Sequence, residues 1–187
     1  LGLLLVGGLW NPLIAVGRQV HTLPDDTRVA LVVSGALCAV AGMFCLALFT
    51  WRVFRPESAW GCALAGAVGL ALLVAFVLQG LGVGWVDYAY EERGPWLAAT
   101  WIGAANYLWG SVEVWRQLRL LSRRQRLGLV DPVVMNRVWL WGVILSTSVV
   151  ASVTFGTLQW LGLPVGGTVL GLCLSAVAAS VSSGCLW

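Results

Sequence analysis

A polar cluster inside an apolar run marks the place where this chain could do chemistry. Asn106, Gly110 and Glu113 recur at three- and four-residue spacing, which puts them on one helical face with Tyr107 beside them. Further along, Ser146, Thr147, Ser148, Ser152, Thr154 and Thr157 give a second apolar run a high density of hydroxyls, followed by Gln159. Polar groups within a membrane are costly and face the bundle interior or a cavity. If these two runs face each other, Asn106, Tyr107, Glu113, Ser148 and Ser152 would line a small polar pocket able to contact a ligand or an ion. Gln79 could join it only near the outer surface. Each residue also has a plainer reading. Glu113 lies three residues before Arg116 and can pair with it or with Arg52, and a helical hydroxyl can bond back to its own helix. Asn106, near the middle of its run, is the hardest to explain that way.

Other chemistry is poorly served. The single histidine, His21, lies in a polar stretch, so neither a bis-histidine haem nor a tri-histidine metal site can be built from this chain. All 11 basic residues are arginine, and without a lysine amine no retinal or pyridoxal Schiff base can form. Cys38, Cys45, Cys62, Cys173 and Cys185 lie in or beside apolar runs with no CxxC pair, and read as small apolar side chains. A serine or cysteine nucleophile would need His21, which is remote in sequence from the serine-rich runs. There is no phosphate-binding loop and no metal-ligand spacing. The expectation is therefore no catalytic residue, no metal and no cofactor. A net charge of +3, concentrated beside apolar runs, gives no footprint for nucleic acid.

The elements that must position these residues are long apolar helices. The chain is 59% hydrophobic and only 10% charged, against about a quarter charged in soluble domains. A bilayer core about 30 Å thick needs roughly 20 apolar helical residues. Val29–Trp51, Trp60–Leu81, Pro95–Trp115, Val138–Trp160 and Pro164–Trp187 reach that length, and Leu1–Gly17, interrupted by Pro12, nearly does. The fold class expected is all-α: a polytopic transmembrane helical bundle of six spans in one domain over 1–187, or seven with a further helix before Leu1. Leu1 in place of an initiator methionine, and a close on Trp187 within an apolar run, lead to the expectation that both termini are truncated.

Local signals divide the spans. Pro24-Asp25-Asp26 offers an N-cap, Arg52–Ser58 a tight turn, and Pro95 the favoured first position of a helix. Asp131-Pro132 supplies an N-cap and N1 pair, Gly128 a C′ residue for the helix before it, and Trp160–Pro164 an uncharged hairpin. Arginine placement sets the expected orientation. Two arginines fall in 52–57 and six in the basic helix extension and loop around 116–137, whereas the loop at 85–94 is acidic. The positive-inside rule puts the basic segments, including the extension over 116–131, in the cytoplasm, as in a bacterial inner (plasma) membrane. Both termini of a six-span chain would then be cytoplasmic. Most of the 12 tryptophans sit at span edges, where an indole ring prefers the headgroup level. Trp101 and Trp109 lie deeper.

Two further patterns concern partners. Gly167, Gly171, Ser175, Ala179 and Ser183 form a small-residue ridge, and Gly61, Ala65 and Gly69 a shorter one. Such ridges let helices approach closely, either within one bundle or between subunits. Arg116, Arg119, Arg123 and Arg126 fall on one helical face and would meet anionic lipid headgroups, each worth about 1 kcal/mol near the surface. The functional expectation is a non-enzymatic structural or accessory subunit of a larger membrane assembly, with membrane lipids and other membrane subunits or further copies of itself as partners. The alternatives are a seven-helix-type sensor or receptor module and, more weakly, a small transporter.

Overall fold

The computed structural model describes Leu13, Val16 and residues 24–82, 94–125 and 131–161, and every element among them is helical. In chain order these are α1 (Asp25–Phe54), α2 (Ala59–Gly82), α3 (Pro95–Gln125) and α4 (Pro132–Trp160). Three of them, α1, α2 and α4, are long and apolar enough to cross a membrane, the mark of a membrane protein. The helix α3 covers the expected span at Pro95–Trp115 but is not apolar enough to count among them. Six spans are therefore not shown. Apart from Leu13 and Val16 the run at 1–17, together with the run at 164–187, residues 85–93 of the acidic loop, Arg126, Gly128 and the ridge from Gly167 to Ser183, lies outside the described residues.

Helix boundaries follow local chemistry. Asp131 accepts a 2.8 Å bond from the Val133 amide, with Pro132 at the first helical position. Ser58 does the same for α2, its Oγ accepting from the Gly61 amide at 3.2 Å. The start of α1 differs from expectation. Pro24 holds the cap position with no side-chain bond, and Asp25 and Asp26 lie inside the first turn, where their charge opposes the positive end of the helix dipole. Between α1 and α2, Arg55 ends the helix with its amide on the Trp51 carbonyl, and the chain turns through Pro56 and Glu57.

The bundle is organised around α3, which packs against each of the other three helices, while α1 also packs along α2. This explains why α3 is the least apolar of the four. A helix enclosed by protein need not be soluble in lipid, so it can carry Asn106, Ser111 and Glu113 at 6% exposure or less. Its neighbours show the complementary pattern. The face α1 buries is mostly small: Gly35, Ala36, Ala39, Gly42 and Ala47. The ridge Gly61, Ala65 and Gly69 of α2 turns inward onto α1, with Trp51 beside Gly61 and Phe44 over Gly69. Meanwhile Leu70, Leu73, Val74, Val77, Leu78 and Leu81 of α2 are 45–81% exposed, a surface suited to lipid rather than water.

Two clusters fill the interior. Leu46, Tyr107, Val114, Leu118 and Leu145 join α1, α3 and α4. Leu72, Ala75 and Ala99 join α2 to α3, with Val40 and Met43 of α1 alongside. Gly110 is a tight point at the meeting of α1, α3 and α4, because a Cβ there would lie 3.3 Å from Leu145 Cδ1 and 3.4 Å from Thr50 Oγ1. Gly110→Val should thus lower unfolding stability by about 1–3 kcal/mol through overpacking. Gly66→Ala, which would place its Cβ in open space, should leave stability unchanged. Reversible unfolding in mixed detergent micelles measures both, and equal effects would contradict this packing.

Candidate functional site

The buried polar groups of α3 occupy successive levels along one helix, and most reach across to a neighbour. At the level of Asn106, its Nδ2 donates to the Met43 carbonyl of α1 at 2.9 Å. A carbonyl can only accept, so this contact fixes which way the amide faces. The opposite atom, Asn106 Oδ1, is buried without a partner, as are the indole nitrogens of Trp51 and Trp109. One turn further, Ser111 Oγ lies 2.9 Å from Ser146 Oγ of α4, and Trp115 Nε1 donates to the same Ser146 oxygen at 2.9 Å.

Glu113 makes the charged contact. Both of its carboxylate oxygens lie 3.2 Å from Arg55 Nε, in the turn between α1 and α2. Arg116, on its own helix, stands further off at 3.8 Å. The sequence suggested Arg116 or Arg52 as partner; the structure makes Arg55 the principal one. Arg52 instead lies over the Trp51 ring at 5.2 Å. Arg55 is held from its other side by the Trp60 ring, 5.5 Å from its guanidinium carbon, and Trp60 meets Trp109 of α3 at 6.2 Å. Cation, carboxylate and two indoles thereby tie the α1–α2 turn to α3.

A second polar level lies near the start of α3. Gln79 Oε1 of α2 accepts from the Trp96 amide at 3.3 Å, and Thr100 Oγ1 is within 3.4 Å of Gln159 Oε1 of α4. Both glutamines are buried, at 4% and 2% exposure. Sequence reasoning set Gln79 aside as peripheral and gave Gln159 no role. The signal was a glutamine in the last turn of each apolar run, where an exposed residue would simply be solvated.

The expected pocket of Asn106, Tyr107, Glu113, Ser148 and Ser152 is not assembled as one chamber. Asn106 and Glu113 turn to α1 and its following turn, and Tyr107 packs in the apolar cluster with Leu46 and Leu145. Ser148 bonds back to the Ile144 carbonyl at 2.8 Å. The hydroxyl that does reach across to α3 is Ser146. Asn106 does line a groove of about 270 Å³ between α2 and α3, but its companions there are apolar: Leu64, Ala67, Val68, Ala71, Ile102, Ala105 and Trp109. None of the other four expected residues lines it. Arg116, Arg119 and Arg123 are exposed on the last turns of α3. Among the described residues, no three His, Cys, Asp or Glu side chains gather closely enough to hold a metal ion.

The chain matches no family model, no curated protein and no solved structure.

Ser146 and Ser148 offer an internal control for this network, being the same residue type two positions apart. Ser146→Ala removes a partner from both Ser111 and Trp115 and should cost about 1 kcal/mol, within the range of interhelical bonds in membranes. Ser148→Ala loses only a bond to its own helix and should be close to neutral. Unfolding equilibria of the two variants distinguish them; equal values would mean that the cross-helix bonds hold nothing.

Proposed function

We propose that this chain is a non-enzymatic accessory subunit of a larger membrane assembly, acting through its outer surface. The observation that carries the reading is the use made of α3's polar face. Asn106, Ser111 and Glu113, the groups best suited to chemistry, are bonded to neighbouring helices, which makes them fastenings. What remains outward is a broad apolar surface, widest on α2, of the kind another membrane helix can cover.

In this reading α3 crosses the membrane together with α1, α2 and α4, and the runs at 1–17 and 164–187 complete six spans. The positive-inside rule supports a cytoplasmic placement for the turn at Arg52–Arg55 and for the arginine-bearing end of α3, in a bacterial inner membrane. There Arg116, Arg119, Arg123 and Arg126 meet anionic headgroups. A second reading, a membrane sensor, draws on the groove beside Asn106. It requires that Asn106→Leu alter a ligand response without loss of folding. A small transporter has less support, because the one buried carboxylate described, Glu113, is already paired.

Gentle detergent extraction from native membranes, followed by mass spectrometry of the intact particle, tests the assignment. The expected result is stoichiometric association with a different membrane protein. A lone chain, or a particle containing only copies of this chain, would overturn it.

A further inference from the structure

Among the described residues, Asn106 Oδ1 and Trp109 Nε1 are buried polar atoms with no hydrogen-bond partner. Both belong to side chains that line the groove of about 270 Å³ between α2 and α3. They are opposite in kind. The Asn106 amide is committed through Nδ2 to the Met43 carbonyl, so its remaining oxygen can only accept. An indole nitrogen can only donate. The two residues lie one helical turn apart on α3, yet they do not bond each other. Buried polar groups are rarely left in this state, and a matched acceptor and donor in one groove call for an occupant that can serve both.

The groove restricts what that occupant can be. No charged residue lines it, and Ala67, Ala71 and Ala105 leave room where larger side chains would fill it. Its volume is several times the roughly 30 Å³ that one water occupies, so a single bridging water would leave the apolar part empty. Leu64, Ala67 and Ala105 are exposed, so the groove opens outward. On α2 it spans 64–71, well inside a helix long and apolar enough to cross a membrane, and is therefore reached from the acyl-chain region. A charged headgroup at that depth is costly, which excludes a phospholipid head as the polar group.

We propose that the groove binds a membrane-dissolved long-chain alcohol, a slim apolar body ending in one uncharged hydroxyl. A hydroxyl both donates and accepts through a single oxygen. It donates to Asn106 Oδ1 and accepts from Trp109 Nε1, so both unpartnered atoms are satisfied together, while the apolar body lies along the alanines. An ether could accept from Trp109 but would leave Asn106 Oδ1 unbonded, and an alkane would serve neither. This inference goes beyond the accessory-subunit reading and does not rest on it, since it concerns what one chain holds between its own helices.

Photolabelling of the full chain in phosphatidylcholine vesicles tests it, because that lipid brings no hydroxyl of its own. The probe is dodecanol carrying a diazirine in its alkyl chain, with unlabelled dodecanol, its methyl ether and dodecane as competitors. The expected result is adducts within 64–71 and 102–109, with dodecanol competing about tenfold better than the ether, as the loss of one buried hydrogen bond requires. Trp109→Phe keeps an aromatic ring but removes the donor, and should weaken labelling about fivefold. Asn106→Leu would also break the bond to Met43, so the second variant is Ala67→Phe at an exposed position. It fills the groove, leaves both polar atoms in place and should abolish labelling there. Equal competition by alcohol and ether would overturn the proposal, since the two atoms would then be met by water or by each other. Adducts spread evenly over the exposed face of α2 would also overturn it, as general solvation by lipid. Labelling is read on the chain alone, so its failure is distinct from failure of the accessory-subunit reading, which the mass of the extracted particle reports.

Discussion

A polar group buried away from water is costly unless it finds a partner inside the protein. In this chain that constraint falls mainly on α3, whose Asn106 Oδ1 and Trp109 Nε1 stay unpartnered among the described residues. It carries Asn106, Ser111 and Glu113, and the remaining helices are arranged so that each supplies a partner or covers an apolar stretch beside one. The small faces of α1 and the inward ridge of α2 follow from the same demand. A side chain as short as asparagine reaches the Met43 carbonyl only if the two helix backbones lie close together, and glycine and alanine allow that approach.

The contact between Glu113 and Arg55 is the charged part of this arrangement and joins elements far apart in sequence. A carboxylate left alone at 7% side-chain exposure would be strongly unfavourable, while two oxygens facing one guanidinium in a low-dielectric setting are mutually stabilised. Because Arg55 ends α1 and its guanidinium rests on Trp60 at the start of α2, the pair joins the α1–α2 turn to α3. Conformational specificity is the contribution best suited to such a pair, since its net stabilisation is offset by desolvation.

The sequence carried the helices well and their contacts poorly, for physical reasons. Run length and terminal chemistry located α1, α2 and α4 and the Asp131–Pro132 start, because both signals are local. The central position of α3 was not read from the sequence; its trace there is that α3 is the least apolar of the four helices and the one that misses the hydropathy of a membrane span. Asn106 was recognisable because a mid-depth amide has few alternatives. Its partner was not, since a backbone carbonyl carries no sequence signature. Glu113 was matched to Arg116 on helical spacing or to Arg52 at the same predicted membrane edge, but the residue at the α1–α2 turn that reaches it is Arg55. Ser146 was one of several hydroxyls along its helix, and only the rotation of α4 against α3 decides that it faces Ser111 while Ser148 bonds back.

The central claim is that polar contacts across helix boundaries, anchored by Glu113 and Arg55, hold α3 to its neighbours. A double-mutant cycle of Glu113→Gln and Arg55→Gln, read by reversible unfolding in mixed detergent micelles, measures that contact free of each residue's other roles. The account predicts a favourable coupling energy of about 1–3 kcal/mol, in the range found for residues in direct contact within one polar network. Additive effects, with coupling near zero, would contradict it: the pair would then be incidental, and apolar packing alone would position the central helix.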